Sequence, residues 1–292
     1  MPRLSPVTRL LPLRRVRCVL MAATLLLGGC AQPPSHEAAR TPQRLVGLLP
    51  ADALLLGEQH DAPDHQRVHH EVVQALAARD ALAALVLEMA AQGRSTRGLP
   101  AAASEEQVRA ALDWSDAAWP WRAYGPAVMA AVRAGVPVLG ANLSRAQMRN
   151  SMADPQFDVL LSGPALKAQQ QLIRLGHCDV LPENQITPMT RVQIARDVAM
   201  AHTVRAAAVP DKTVLLLAGR GHVDRGLGIP RHLPPDFKAR AIGIGADPSE
   251  ATTDTLAKFD LAWPAAPGPD IDHCTQFKAR GSGTLEKRQD AK

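Results

Sequence analysis

Two apolar runs, each stopped by a glycine and then a histidine, constrain this chain more than any other feature. Leu54-Leu55-Leu56 runs into Gly57-Glu58-Gln59-His60-Asp61, and far downstream Thr213 to Ala218 (TVLLLA) runs into Gly219-Arg220-Gly221-His222. A short apolar run of this length reads as a strand buried on both faces, and where it ends it delivers polar side chains to the edge of a sheet. Both ends have the form Gly-x-x-His. Ala84-Leu85-Val86-Leu87 is a further strand that ends on Glu88, and Val136 to Ala141 is another, ending at Asn142 and leading to Arg145. Lys238 to Gly245 and Phe259 to Trp263 complete the set.

Helical stretches fall between these strands. Pro63-Asp64 marks a helix start with Asp64 as N-cap, followed by Val68, Val72 and Leu76 at helical spacing. Ser104-Glu105-Glu106-Gln107 forms a capping box, and Pro126 to Ala134 reads as another helix. Pro164 to Leu175 and Thr187 to Ala208 are helical around a Gly176-His177-Cys178-Asp179 loop. Alternating strands and helices predict an α/β fold with a largely parallel central sheet flanked by helices, and a helical subdomain inserted in the middle of the chain.

The first 29 residues read as an export signal outside this fold. Arg3, Arg9, Arg14, Arg15 and Arg17 precede an apolar stretch from Val19 to Leu27 that is too short to cross a bilayer. Leu27-Gly28-Gly29-Cys30 resembles a bacterial lipobox, which makes Cys30 the expected lipidation site and first mature residue. Ala31 follows rather than a retaining Asp, so the expected location is the cell envelope, lipid-anchored at the outer membrane. Removing those five arginines from the 33 basic side chains leaves 28 against 28 acidic ones. The sequence pI of about 9.3 therefore belongs to the leader and gives no warrant for nucleic-acid binding.

Residues 30–43 read as a flexible tether, 44–275 as the folded domain and 276–292 as a disordered tail. With Cys18 and Cys30 set aside, Cys178 and Cys274 remain, and in an oxidising envelope they are an expected disulfide. Aromatic residues make up only 3% of the chain, yet Trp114, Trp119, Trp121 and Tyr124 fall together.

Glu58, His60, Glu88, Asn142, Arg145, Arg220 and His222 all follow apolar strands, so a parallel sheet gathers them along one edge. Their side chains suit a transition metal such as Zn²⁺ or general acid and base work. The plainer reading is that they cap strands and helix ends. His65 and His69 share a helix face and read as solvated surface residues, His65 lying nearer the putative edge; His177 is a secondary candidate. Tyr124 has two readings of equal weight, a phenolate ligand for ferric haem or a wedge between helix and sheet. The chain has no Cys-x-x-Cys-His, no phosphate loop and no Gly-x-Ser-x-Gly elbow.

Leu-Leu-Gly-Glu-Gln-His-Asp at 55–61, Leu-Glu-Met at 87–89, Tyr124 and Pro126, Asn142 and Arg145, Gln193 with Asp197 to Ala201, and Ala218 to Val223 with Gly226 to Pro230 follow one another in an order that resembles the ChaN family of iron-regulated, haem-binding bacterial lipoproteins. The resemblance implies an α/β fold, haem held with tyrosine ligation, which in this chain can only be Tyr124, and dimerisation around the haem. His65, Arg145 and Arg220 join Tyr124 as expected haem contacts, in a role in haem or iron acquisition with an outer-membrane haem receptor as partner. The wider superfamily includes Tiki-type metalloproteases and erythromycin esterases, which implies an alternative: a metal-dependent hydrolase in which Glu58, His60 and His222 hold a divalent ion and Glu88 activates water.

Overall fold

The computed structural model describes residues 41–245 and 258–275. The export signal, Cys30, most of the tether and the tail lie outside the described residues. Six strands, β1 (Ala53–Glu58), β2 (Leu82–Ala91), β3 (Val138–Asn142), β4 (Thr213–Gly219), β5 (Ala239–Ile244) and β6 (Leu261–Trp263), form one sheet in the order β3-β2-β4-β1-β5-β6. Every strand pairing is parallel. The helices are α1 (Thr41–Val46), α2 (Pro63–Ala77), α3 (Glu105–Ala111), α4 (Trp121–Arg133), α5 (Arg145–Ala153), α6 (Gly163–Gly176) and α7 (Glu183–Ala206).

The period of two along each strand explains why the runs are apolar throughout. Leu54 and Leu56 of β1, Leu85 and Leu87 of β2, and Leu215 and Leu217 of β4 face one core with Val68, Val72 and Leu76 of α2 and Val128 and Met129 of α4. Their neighbours Leu55, Val86, Val214 and Leu216 face a second core with Met200, Ala201 and Val204 of α7. Both faces are covered, so no polar alternation remains. Leu54, Leu55 and Leu56 are fully buried, and each contributes about 2 kcal/mol of hydrophobic stabilisation.

β1 and β4 lie side by side at the centre of the sheet, in a register that sets Glu58 opposite Gly219. That register brings the two Gly-x-x-His ends together. Beyond β4 the chain enters a 3-10 turn, Arg220–Val223, whose backbone presses on β1. A Cβ at Gly57 would lie 2.3 Å from Val223 Cγ2 and 3.0 Å from Arg220 Cα, so only glycine lets the turn seat there.

Several boundaries differ from expectation. Ala62, not Asp64, is the N-cap of α2, because Pro63 occupies the first helical position where its missing N–H is harmless. The Asp64 carboxylate instead accepts from Arg67 and from the Ala266 backbone N–H. β2 runs past Glu88 to Ala91, since residues 92–96 turn back along β3; Gly140 N–H donates to Arg94 O at 2.9 Å and Thr96 N–H to Val138 O at 3.0 Å. This return covers the edge of β3. Helix α1 starts inside the stretch expected to be tether, with Leu45 fully buried. The helical insertion of α5, α6 and α7 belongs to the same unit as the sheet, with α7 packed on it and α5 and α6 packed on α7.

Cys178, in the α6–α7 loop, is joined to Cys274 with a Cα–Cα distance of 5.4 Å across 96 residues of sequence. Among the described residues, no helix is long and apolar enough to cross a membrane.

Candidate functional site

Strand parity decides which way each carboxylate points. Glu58 shares the face of Leu54 and Leu56 and so meets α2 and α4; Glu88 shares the face of Val86 and so meets α7. Tyr124 O–H donates to Glu58 Oε1 at 2.7 Å, and Gln66 Nε2 donates to Oε2 at 3.0 Å. Glu88 Oε2 accepts from Gly219 N–H at 2.7 Å, and Oε1 is paired with Arg196. Arg196 also donates through Nε to Asn142 Oδ1 at 2.9 Å.

The two histidines join these carboxylates into one chain. His60 Nδ1 lies 2.8 Å from Glu58 Oε1 and its Nε2 is 3.8 Å from Glu88 Oε2. His222 Nε2 is 3.5 Å from Glu88 Oε1, while its Nδ1 donates to Asp197 Oδ1 at 2.5 Å. A Cβ at Gly219 would sit 2.9 Å from His60 Nε2, so the glycine makes room for the imidazole.

Charges this deeply placed survive only when paired. Burial disfavours charge on His222, yet Glu88 and Asp197 hold its imidazolium, with a pKa raised to about 9. Burial also works against Glu88, but His222, Arg196 and His60 outweigh it and keep this carboxyl well below the ordinary range. Asp197 is pushed up to about 6, by burial first, although His222 and Arg196 oppose the shift. Glu58 is held below its usual value by His69 and His60 against the effect of burial.

The network faces a cavity of about 1300 Å³. Glu58, His60, Glu88, Tyr124, Arg220 and His222 all line it. Trp119 stands edge-on to both His60 and Tyr124, with centroids 4.8 and 5.9 Å away. Leu175, Pro269 and Ile271 supply apolar wall, and the Cys178–Cys274 bridge closes one side.

Three expectations are corrected by this geometry. His65 and His69 are buried rather than solvated, each 1% exposed; His65 Nδ1 accepts the Gln59 N–H at 2.9 Å and His69 Nδ1 lies 3.8 Å from Glu58 Oε2. Their helix face turns inward because it carries the apolar stripe of α2, so His65 does not reach the cavity. Arg145 is exposed at the start of α5, outside the cavity lining, and Arg196 occupies the place expected of it. His177 binds the carbonyl of Ile173 at the end of α6 and is likewise not in the lining.

The expected metal set of Glu58, His60 and His222 is drawn together around Glu88, but as ion pairs. Among the described residues, no three His, Cys, Asp or Glu side chains converge as a metal-binding group. Tyr124 is also poorly suited to hold iron. Its hydroxyl is a donor to Glu58 under two tryptophans, and burial followed by the charge of Glu58 raises its pKa far above that of a free phenol. The walls of the cavity suit a flat apolar ring better than the Tyr124 oxygen suits a metal ion.

Arg196, Asp197 and Gln193, which the strand-end pattern could not single out, reach the site from the middle of α7. His70, a half-buried imidazole of the lining kept toward its neutral form by burial, was also missed. Gln193 and Asp197 were marked in the sequence only by their place in the ChaN-like series of motifs, and Arg196 by nothing.

A parallel α/β domain carrying a charged cavity at the carboxyl ends of its strands is the class that this geometry defines. The chain belongs to the haem-binding uptake, Tiki superfamily, ChaN family, whose model matches residues 45–233. Among solved structures it is similar to ChaN of Campylobacter jejuni, described with cofacial haem binding, at 22% identity and a TM-score of 0.59, over 77% of this chain and 91% of that one. A looser likeness to the type III effector HopBA1 has 19% identity and a TM-score of 0.42, over 73% and 85% of the two chains. No curated protein matches the chain.

Proposed function

We propose that this is a haem-binding protein of the cell envelope, anchored by lipid at Cys30 and serving haem or iron acquisition. The observation that carries the reading is the 1300 Å³ cavity of a ChaN-family domain, apolar and aromatic on its walls and cationic at its rim. Such a site is larger than the roughly 300–1,000 Å³ typical of small-molecule pockets. Trp119, Leu175 and Ile271 would give a porphyrin apolar contact, and His60, His70, His222 and His273 are the imidazoles that line the space. Haem, when bound, supplies a coordinated iron. Tyr124 keeps its proton and positions Glu58.

Haemin added to the purified protein should give a saturable shift of the Soret band. Tyr124→Phe should retain that shift, because its oxygen is a hydrogen-bond donor; an altered or lost band in this variant would restore phenolate ligation. Absence of saturation in the unmodified protein would end the haem reading.

A second reading, hydrolysis, is favoured by one observation. The chain Tyr124–Glu58–His60–Glu88–His222–Asp197 concentrates more shifted ionisable groups than a binding pocket needs. In it Glu88 and His222 would serve as the acid–base pair, with or without a divalent ion. Turnover of peptide or ester substrates that disappears in His222→Ala while haemin binding persists would establish it.

A further inference from the structure

The cations around the cavity are not equally served. Arg67 is paired with Asp64 and Glu71, Arg196 with Glu88, His60 with Glu58, His222 with Asp197 and Glu88, and His273 with Asp61. Arg122 is exposed to solvent. Arg220 differs from all of these. It lies in the cavity lining, yet among the described residues no carboxylate pairs with it; its Nη2 donates to the Ile244 carbonyl at 2.6 Å, and its Nε is buried without a partner. The acids that share the lining, Glu58, Asp61 and Glu88, are each committed elsewhere.

A half-buried guanidinium in a cavity wall, with no acid beside it among the described residues, is a ready partner for an anion. Its position is also fixed in advance. The 3-10 turn that carries Arg220 is wedged on Gly57, and the Ile244 carbonyl holds one edge of the fork. A preorganised fork loses little entropy when it takes a carboxylate in two parallel hydrogen bonds.

We infer that Arg220 is the anchor for a carboxylate of the ligand this cavity takes, and so selects apolar ring systems that carry acidic side arms. The inference rests on the cavity being a ligand site; if the ligand is haem, the anchored group is a propionate. Burial lowers the arginine's own pKa, and among the described residues no acid opposes that shift.

The test separates this from the haem reading by using metal-free protoporphyrin and its dimethyl ester, which differ only in charge at the side arms. Fluorescence titration of the purified protein should show the free acid binding about 10- to 100-fold more tightly than the ester. Arg220→Gln should abolish that preference, and Arg220→Lys should restore part of it. Near-ultraviolet circular dichroism checks that both variants are folded. Equal affinity for acid and ester, or a preference that survives Arg220→Gln, overturns the inference even if haemin binds.

Should neither metal-free porphyrin bind, the inference is decided by thermal shift with benzene-1,3-dicarboxylate and inorganic phosphate, and the haem reading by the haemin titration alone. A shift with the dicarboxylate that is lost in Arg220→Gln supports it. No shift, or a shift with phosphate alone, overturns it.

Discussion

Glu88 shows how much one side chain can organise. It is 2% exposed and touches Arg196, His222 and the Gly219 backbone at once, so its removal strands the buried His222 and the half-buried Arg196. Glu88→Gln should destabilise the protein by about 3–5 kcal/mol, measured by urea denaturation, because the unpaired partners and not the lost bond set the penalty. A loss below about 1 kcal/mol would mean that water reaches the network. The histidines predict a pH profile. His65 is pulled down to about 4 by burial and then by Arg220, so it is neutral when folded but takes a proton when unfolded. Its contribution is complete above 6.5 and is lost as pH falls from 6.5 toward 4. His222 has the opposite sign: its folded value near 9 lies above the unfolded 6.5, so its contribution is full below 6.5 and is lost as pH rises through 9. Thermal midpoints should therefore fall on both sides of a maximum near pH 6.5, and His65→Gln should make the acid limb shallower while leaving the alkaline limb in place. The strand-end residues of this network were legible in the sequence, because a glycine and ionisable groups after an apolar run mark a sheet edge. The inward turn of His65 and His69 was not, since two histidines at helical spacing suit a wet face and a buried one equally well.

Among the elements, the segment after β6 is tied down by two hydrogen bonds and one covalent link. From Pro264 to Ile271 it has no helix or strand, crosses the β1–α2 loop through Ala266 to Asp64 and His273 to Asp61, and ends at the disulfide with the α6–α7 loop. Removing that cross-link by Cys178→Ser with Cys274→Ser should cost about 2–5 kcal/mol, seen as a lower urea midpoint, and should raise amide hydrogen exchange in 264–275. Unchanged exchange would show that the two hydrogen bonds suffice. Strands and helices were readable as elements because their apolar runs and spacings are local. The extension of β2 past Glu88 was not, for it depends on pairing with a return segment that covers β3.

For the molecule as a whole, the proposed lipid anchor predicts where the protein partitions. If Cys30 carries lipid, Cys30→Ser should move the protein from the membrane fraction to the soluble one without altering the haemin spectrum; retention in the membrane would point to another anchor. The sequence by itself determined the alternation of strand and helix, the parallel sheet and the strand ends at which polar chemistry collects, because buried strands and helix starts are written in neighbouring residues. Only the tertiary structure decided that Glu58 faces α2 and α4 while Glu88 faces α7, that Arg196 and Asp197 complete the network from α7, and that Arg220 has no acid beside it among the described residues. Those facts depend on which strands become neighbours and on which side of the sheet each helix lies, and neither is fixed by the order of residues within any one element.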